Sequence, residues 1–183
     1  MLRTLFLLAL TVAAGTAIAQ SRSPYAGQQT REIKALSDQE ISDYLAGKGM
    51  GLAKAAELNG YPGPAHVLES AQALHLSAEQ EARTRDLFNR MQKESIALGK
   101  ELVDKERQLD QAFASKTVTP ESLSASLSAI GELQAKIRQT HLVTHLAESE
   151  ILNPDQVALY NELRGYGASR SPHAHHLDKH PSD

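Results

Sequence analysis

Residues 76–114 read LSAEQEARTRDLFNRMQKESIALGKELVDKERQLDQAFA, and this stretch decides the fold. Ser77 followed three residues later by Gln80 forms a capping box, in which each side chain satisfies a backbone N–H that the first helical turn leaves without a partner. No proline follows until Pro120. A helix is therefore predicted from Ala78 to Ala114, about 55 Å long at 1.5 Å per residue. Its large apolar residues, Leu87, Met91, Leu98, Leu102, Leu109 and Phe113, are spaced 4, 7, 4, 7 and 4 apart. That is an eleven-residue repeat of about 3.67 residues per turn, which keeps one apolar stripe facing inward on a nearly straight helix.

Downstream, Thr119-Pro120-Glu121 sets a capping hydroxyl before a proline at the first helical position. It starts a second long helix, predicted to reach about Ile151. The link Ser115–Val118 is short, so the two helices form an antiparallel hairpin. Asn153-Pro154-Asp155-Gln156 repeats the same logic and starts a last helix ending near Gly165. Upstream, Ser37 and Glu40 make a further capping box, predicting a short helix from Asp38 to about Ala46. Gly47, Gly49 and Gly51 interrupt it. A helical pattern then resumes over Leu52, Ala53, Ala55, Ala56 and Leu58 until Asn59-Gly60 ends it. Tyr61-Pro62-Gly63-Pro64 reads as a rigid turn, and from Ala65 another short amphipathic helix turns Val67, Leu68, Ala71 and Leu74 to one side.

The composition agrees with an all-α fold of one modest domain. The chain has 183 residues, 41% hydrophobic and only 4% aromatic, with no Cys and no Trp. An all-β fold would draw on more Val, Ile, Thr and aromatics. Without cysteine there are no disulfides, thiolate sites or cysteine nucleophiles. The net charge of −3, and the interleaving of acids with the bases of the first long helix, leave no stripe for nucleic acid. At the N-terminus, Arg3, the apolar run Leu5–Ala14 and Ala17-Ile18-Ala19 read as a secretory signal peptide over residues 1–19. The apolar run falls short of the ~20 residues a spanning helix needs, so the protein is expected to be exported with no membrane span after cleavage. Residues 20–36, rich in Ser, Gln and Gly at their start, read as a flexible leader. The helical-hairpin domain is then 37–165, with a disordered, His-rich tail over 166–183.

The eight histidines divide by position. At roughly 100° per residue, Leu123, Leu127, Ile130, Ile137, His141 and His145 lie within about 40° of one line, so both imidazoles occupy the apolar stripe of the second long helix. Glu148 falls near the same line. Histidine there costs desolvation unless it is hydrogen-bonded or ligated. Three readings stand side by side: a metal site, since imidazoles at i and i+4 reach one ion; a satisfied interface pair; and a pH-sensing pair. His141-Leu142-Val143-Thr144-His145 lacks the Glu of the H-E-x-x-H protease motif. Further ligands would have to come from elsewhere, and His66 and Glu69, three apart on the short helix before the hairpin, are the first candidates. His75 reads as a surface residue. In the tail, His173, His175, His176 and His180 would bind metal weakly, because ordering the tail opposes it. There is no Gly-rich phosphate loop and no G-x-S-x-G, so nothing points to an enzyme or an organic cofactor.

The signal peptide, the long hairpin, and the paired motifs Leu76-Ser77-Ala78-Glu79-Gln80 and Leu152-Asn153-Pro154-Asp155-Gln156 together resemble the LTxxQ group of bacterial periplasmic proteins, the Spy/CpxP/ZraP-like group that includes CnrX-type heavy-metal sensors. The resemblance covers about Ala65 to Tyr166. Ser77 and Asn153 stand where the family has Thr, so Leu76, Gln80, Leu152 and Gln156 carry the motif. The resemblance implies a non-enzymatic, dimeric periplasmic protein of envelope stress or metal response. Members act as ATP-independent chaperones for unfolded clients, as modulators of a membrane sensor kinase, or as metal sensors coupled to an anti-sigma factor. The sensor branch uses a His-x-x-x-Met pair on a late helix; His141 and His145 occupy a comparable pair with His in place of Met. Zinc, nickel, cobalt or copper would be the divalent metal. The chaperone branch uses a basic, apolar-dotted concave face, which the acidic balance here does not favour.

Overall fold

The computed structural model describes residues 23–166. The expected signal peptide and the four tail histidines lie outside the described residues. The chain divides between Thr30 and Arg31. On the first side, Ser23–Thr30 is a run of turns ending in a single 3-10 turn, Gln28–Thr30. The second unit holds six α-helices and, among the described residues, no strand: α1 (Asp38–Leu45), α2 (Lys54–Glu57), α3 (Pro64–Glu69), α4 (Ala78–Ala114), α5 (Pro120–Ile151) and α6 (Pro154–Leu163). None of them is long and apolar enough to cross a membrane.

The long elements follow from their caps. Capping boxes close at Ser37 with Glu40, Ser77 with Gln80, Thr119 with Ser122 and Asn153 with Gln156. The hairpin helices end where the sequence predicts. The short helices come out shorter. α2 is a single turn, because Gly51 (φ 79°) and Gly60 (φ 83°) leave too little chain between them to propagate a helix. α3 stops at Glu69, and the rest of the expected helix continues as turns, with Leu74 N donating to Ser70 O.

The stretch expected as leader is only partly that. Over residues 31–36 the chain is a strap on α4: Ile33 is fully buried and clusters with Leu36 and Val103, while Asp110 accepts hydrogen bonds from the backbone and side chain of Lys34 at 3.1 and 2.9 Å. Two apolar residues spaced three apart, Ile33 and Leu36, are enough to bury this strap, a signal masked by the polar residues before it. Next to the strap, α1 crosses α4 so closely that a Cβ on Gly99 would collide with the Tyr44 carbonyl. Gly47 turns the chain off α1 with φ 63°, against Gln92 and Ile96, and sends it back along the hairpin.

The hairpin interior has two characters. In the middle, Leu102 of α4 packs on Ile130, Leu133 and Ile137 of α5, with Leu98, Leu109, Tyr44 and Leu52 against them. Toward the base, the buried residues of both helices turn polar: Thr84 and Ser95 on α4, and Thr140, His141, Thr144, His145 and Glu148 on α5. At the tip the stripe runs bare. Phe113 and Leu127, both placed on it by periodicity, are 54% and 51% exposed, because the strap and α1 pack short of the tip.

The two LTxxQ-like motifs prove to be one structure. Gln80 and Gln156 each close their own capping box and also bridge to one another, Gln80 Nε2 donating to Gln156 Oε1 at 2.8 Å and Gln156 Nε2 donating to Gln80 Oε1 at 3.2 Å. Gln80 also donates to Ile151 O at 2.9 Å, and Gln156 to Leu74 O at 3.1 Å. The starts of α4 and α6 are thereby locked together, above an apolar cluster of Val67, Leu74, Leu152 and Tyr160. Side chains of this length bonded on every side are the reason the motif wants glutamine.

Candidate functional site

A cavity of about 490 Å³ opens beside the polar base of the hairpin. Its walls come from four places: the glycine-rich loop 47–51 after α1, Glu57 of α2, the Gly63–His66 start of α3, and the hairpin itself through Phe88 and Met91 of α4 and His141 and His145 of α5. The loop can fold over the cavity because Gly47, Met50 and Gly51 all take left-handed backbone conformations. Arg164, just after α6, completes the wall.

Both histidines predicted from the stripe line this cavity, and both are buried. His145 Nδ1 lies 2.8 Å from the Tyr61 carbonyl oxygen. A carbonyl only accepts, so Nδ1 carries the proton and Nε2 keeps its lone pair. Gly63 packs hard against that ring: a Cβ there would collide with His145 Cε1 at 2.8 Å and come within 3.1 Å of Nε2. His141 Nε2 is 3.3 Å from Ser95 Oγ, which is itself buried. With Nε2 protonated toward Ser95, His141 presents the lone pair of Nδ1 on the side of Gly49, whose Cβ would come within 3.8 Å of it. Burial, and secondarily the neighbouring His145, push the pKa of His141 below the ordinary imidazole value. Its neutral form, the one that binds metal, is thus favoured at neutral pH.

Around the pair lies a network that the sequence reading missed. Glu57 Oε1 accepts from Tyr160 Oη at 2.7 Å and from Arg164 Nε at 3.3 Å, while Oε2 stands 3.7 Å from His145 Nδ1. Tyr160 is wholly buried and its Oη accepts from Gly63 N at 3.3 Å. Burial, then the bond to Glu57, raises its pKa well above the phenol range, so it stays a donor. The one signal that could have flagged Glu57 is that it is the only acid in the apolar stretch from Leu52 to Pro64.

The expected auxiliary ligands separate. His66 lines the same cavity, but Glu69 does not: it is exposed and accepts from His66 Nδ1 at 2.8 Å. Glu69 would serve by orienting His66, in the way an outer carboxylate fixes a ligating imidazole. His75 is exposed. Glu148, one turn beyond His145, is completely buried; Thr84 Oγ1 donates to its Oε1 at 2.8 Å and its Oε2 has no partner. Burial pushes its pKa up to about 7, against the Thr84 hydrogen bond and the charge of Arg83, both of which lower it.

Among the described residues no three His, Asp or Glu side chains converge as a ready coordination sphere. The donor set fits a metal as two neutral imidazoles, one with its tautomer fixed by a backbone carbonyl, facing a cavity with open coordination positions. Soft sulfur from Met50 and Met91 stands on the same wall. No curated protein and no solved structure matches the chain. The family model for heavy-metal resistance matches residues 44–158, from the end of α1 to the middle of α6 and so across every wall of the cavity up to His145, and the chain belongs to that family.

Proposed function

We propose that this is a non-enzymatic, exported protein that binds a divalent transition metal at His141 and His145 and so senses or sequesters it in the periplasm. The observation that carries the reading is the Tyr61 carbonyl bonded to His145 Nδ1, which leaves Nε2 as the ligating nitrogen of a ring that lines the same cavity as His141. Membership of a heavy-metal resistance family supports the same chemistry. Zinc, nickel, cobalt and copper all suit imidazole ligands. With His66 of α3, which lines the same cavity, as a further ligand, the metal would bond α5 to the segment opposite and stiffen the base of the hairpin. Export rests on residues 1–19, whose pattern is that of a cleaved signal peptide.

The test is calorimetric titration of each ion into the protein with His173, His175, His176 and His180 replaced by alanine, so that the tail does not mimic a site. Binding tighter than about 10 µM that disappears in His141→Ala/His145→Ala is the expected result. A bound ion also raises the melting temperature, since a ligand of the native state alone adds RT ln(1 + [L]/Kd) to stability. Binding indifferent to the double substitution refutes the reading. A holdase is the second reading, favoured by the exposed apolar side chains Val143 and Leu146 on the outer face of α5 and Phe113 and Leu127 near the tip. It predicts that the protein suppresses aggregation of a denatured client at near-stoichiometric ratio whether or not a chelator is present.

A further inference from the structure

The cavity is the wrong size and the wrong charge for a bare cation. Liquid water takes about 30 Å³ per molecule, and cavities of roughly 300–1,000 Å³ house small organic ligands. At about 490 Å³ and open to solvent, the space beside His141 and His145 has room for more than an ion with a few waters. Its walls are also cationic. Lys48, Lys54 and Arg164 stand on them against one carboxylate, Glu57, whose Oε1 is engaged by Tyr160 and Arg164. Lys48 is balanced by Asp43 at 2.8 Å. Lys54 has no ion-pair partner among the described residues and lies folded over the glycine loop, its Nζ 3.5 Å from where a Gly51 Cβ would sit. A dication bound by two neutral imidazoles keeps its full charge, and here it would meet the unpaired Lys54 with only Glu57 Oε2 left to offset it. An anionic co-ligand removes both mismatches. It fills the volume, completes the coordination that the protein leaves open, and gives the lysine a partner.

We propose that the site takes its metal as a chelate with a small polycarboxylate, His141 and His145 binding the ion and Lys54 holding a carboxylate group of the chelator. This rests on the reading that the two histidines bind metal, and the two ideas fail differently. The experiment is equilibrium dialysis of the full chain, tail histidines replaced by alanine, against labelled nickel and differently labelled citrate, each alone and both together. The expected result is retention of nickel and citrate in equal amounts, with citrate held only when nickel is present. Lys54→Ala should lower citrate retention at least tenfold and Lys54→Arg should restore it. Nickel retained alone and stripped by citrate overturns the chelate but leaves the histidine site standing. Nickel not retained under either condition overturns both. Citrate retained without nickel, and unaffected by His141→Ala/His145→Ala, overturns the chelate and marks a plain anion site, while the nickel arm alone decides the histidine reading.

Discussion

The middle and the base of the same hairpin are built from different materials. In the middle, Leu102 sits among Ile130, Leu133 and Ile137, and burial there is apolar on both sides. At the base, the positions that continue the stripe are Thr140, His141, Thr144, His145 and Glu148. The threonines manage burial cheaply: Thr140 Oγ1 donates to Lys136 O and Thr144 Oγ1 to Thr140 O, so each hydroxyl is satisfied inside the helix and its methyl group faces outward as an apolar surface. The histidines and Glu148 cannot do this. They need partners from elsewhere, and Glu148 Oε2 has none. The middle therefore carries the stability, while the base gives some up to hold groups with chemistry.

Substitutions can break or sharpen that contrast. Leu102→Ala removes a fully buried side chain from the middle and should cost about 3–4 kcal/mol in denaturant unfolding. A loss under 1 kcal/mol would mean that the middle is not the stabilising half. Glu148→Gln comes next. The folded-state pKa of Glu148, about 7, lies above its ordinary value of 4.5, so the folded protein holds that proton more tightly than the unfolded chain. Stability from this group is intact below about pH 4.5 and falls as pH rises through 7, by a total on the order of 3 kcal/mol. The glutamine variant should match the parent near pH 4.5, exceed it by about 2–3 kcal/mol at pH 8, and flatten the profile between; a parallel profile would sink the assignment.

His141→Leu/His145→Leu tests the base from the opposite direction. Replacing two buried imidazoles by leucines should leave the fold intact and add about 1 kcal/mol of stability, while metal binding in the tail-substituted protein disappears. If stability drops sharply instead, the histidines are structural. Gly63→Ala keeps both histidines but drives a methyl group against the His145 ring and forces it to shift, and should weaken metal binding about tenfold. Phe113→Ser at the bare tip is the smallest effect, within about 0.5 kcal/mol, because a half-exposed side chain gives up little by becoming polar.

What could be read beforehand follows the range of the interactions involved. The hairpin was legible because its signals are local: a cap at Ser77, a cap and proline at Thr119-Pro120, and a stripe every eleven residues. The histidine pair was legible for the same reason, since helical periodicity placed it on the wrong surface for a polar residue. The strap at Ile33 and Leu36, and the exposure of Phe113 and Leu127, depend on where α1 crosses the hairpin, and that is set by the close approach at Gly99 rather than by any pattern within one helix. Glu57, Tyr61, Gly63 and Tyr160 reach His145 from 82 or more residues away or through its partners, so periodicity carried no trace of them. Glu69 shows the converse: spacing correctly paired it with His66, and could not say that the pair's carboxylate would face solvent.

The exchange of hydrogen bonds between Gln80 and Gln156 bears on heredity as well as on folding. Two five-residue echoes, 76 positions apart, behave as one character, because an alanine at either glutamine removes the bonds that the other makes across the starts of α4 and α6. Drift at Ser77 and Asn153 is cheap, since several residues with a side-chain oxygen cap a helix equally well. Drift at the glutamines is tolerable only in concert. A chain of this kind can lose the recognisable Thr of its motif and keep its architecture, and a search by motif spelling will pass over relatives that a search for the paired amides would find.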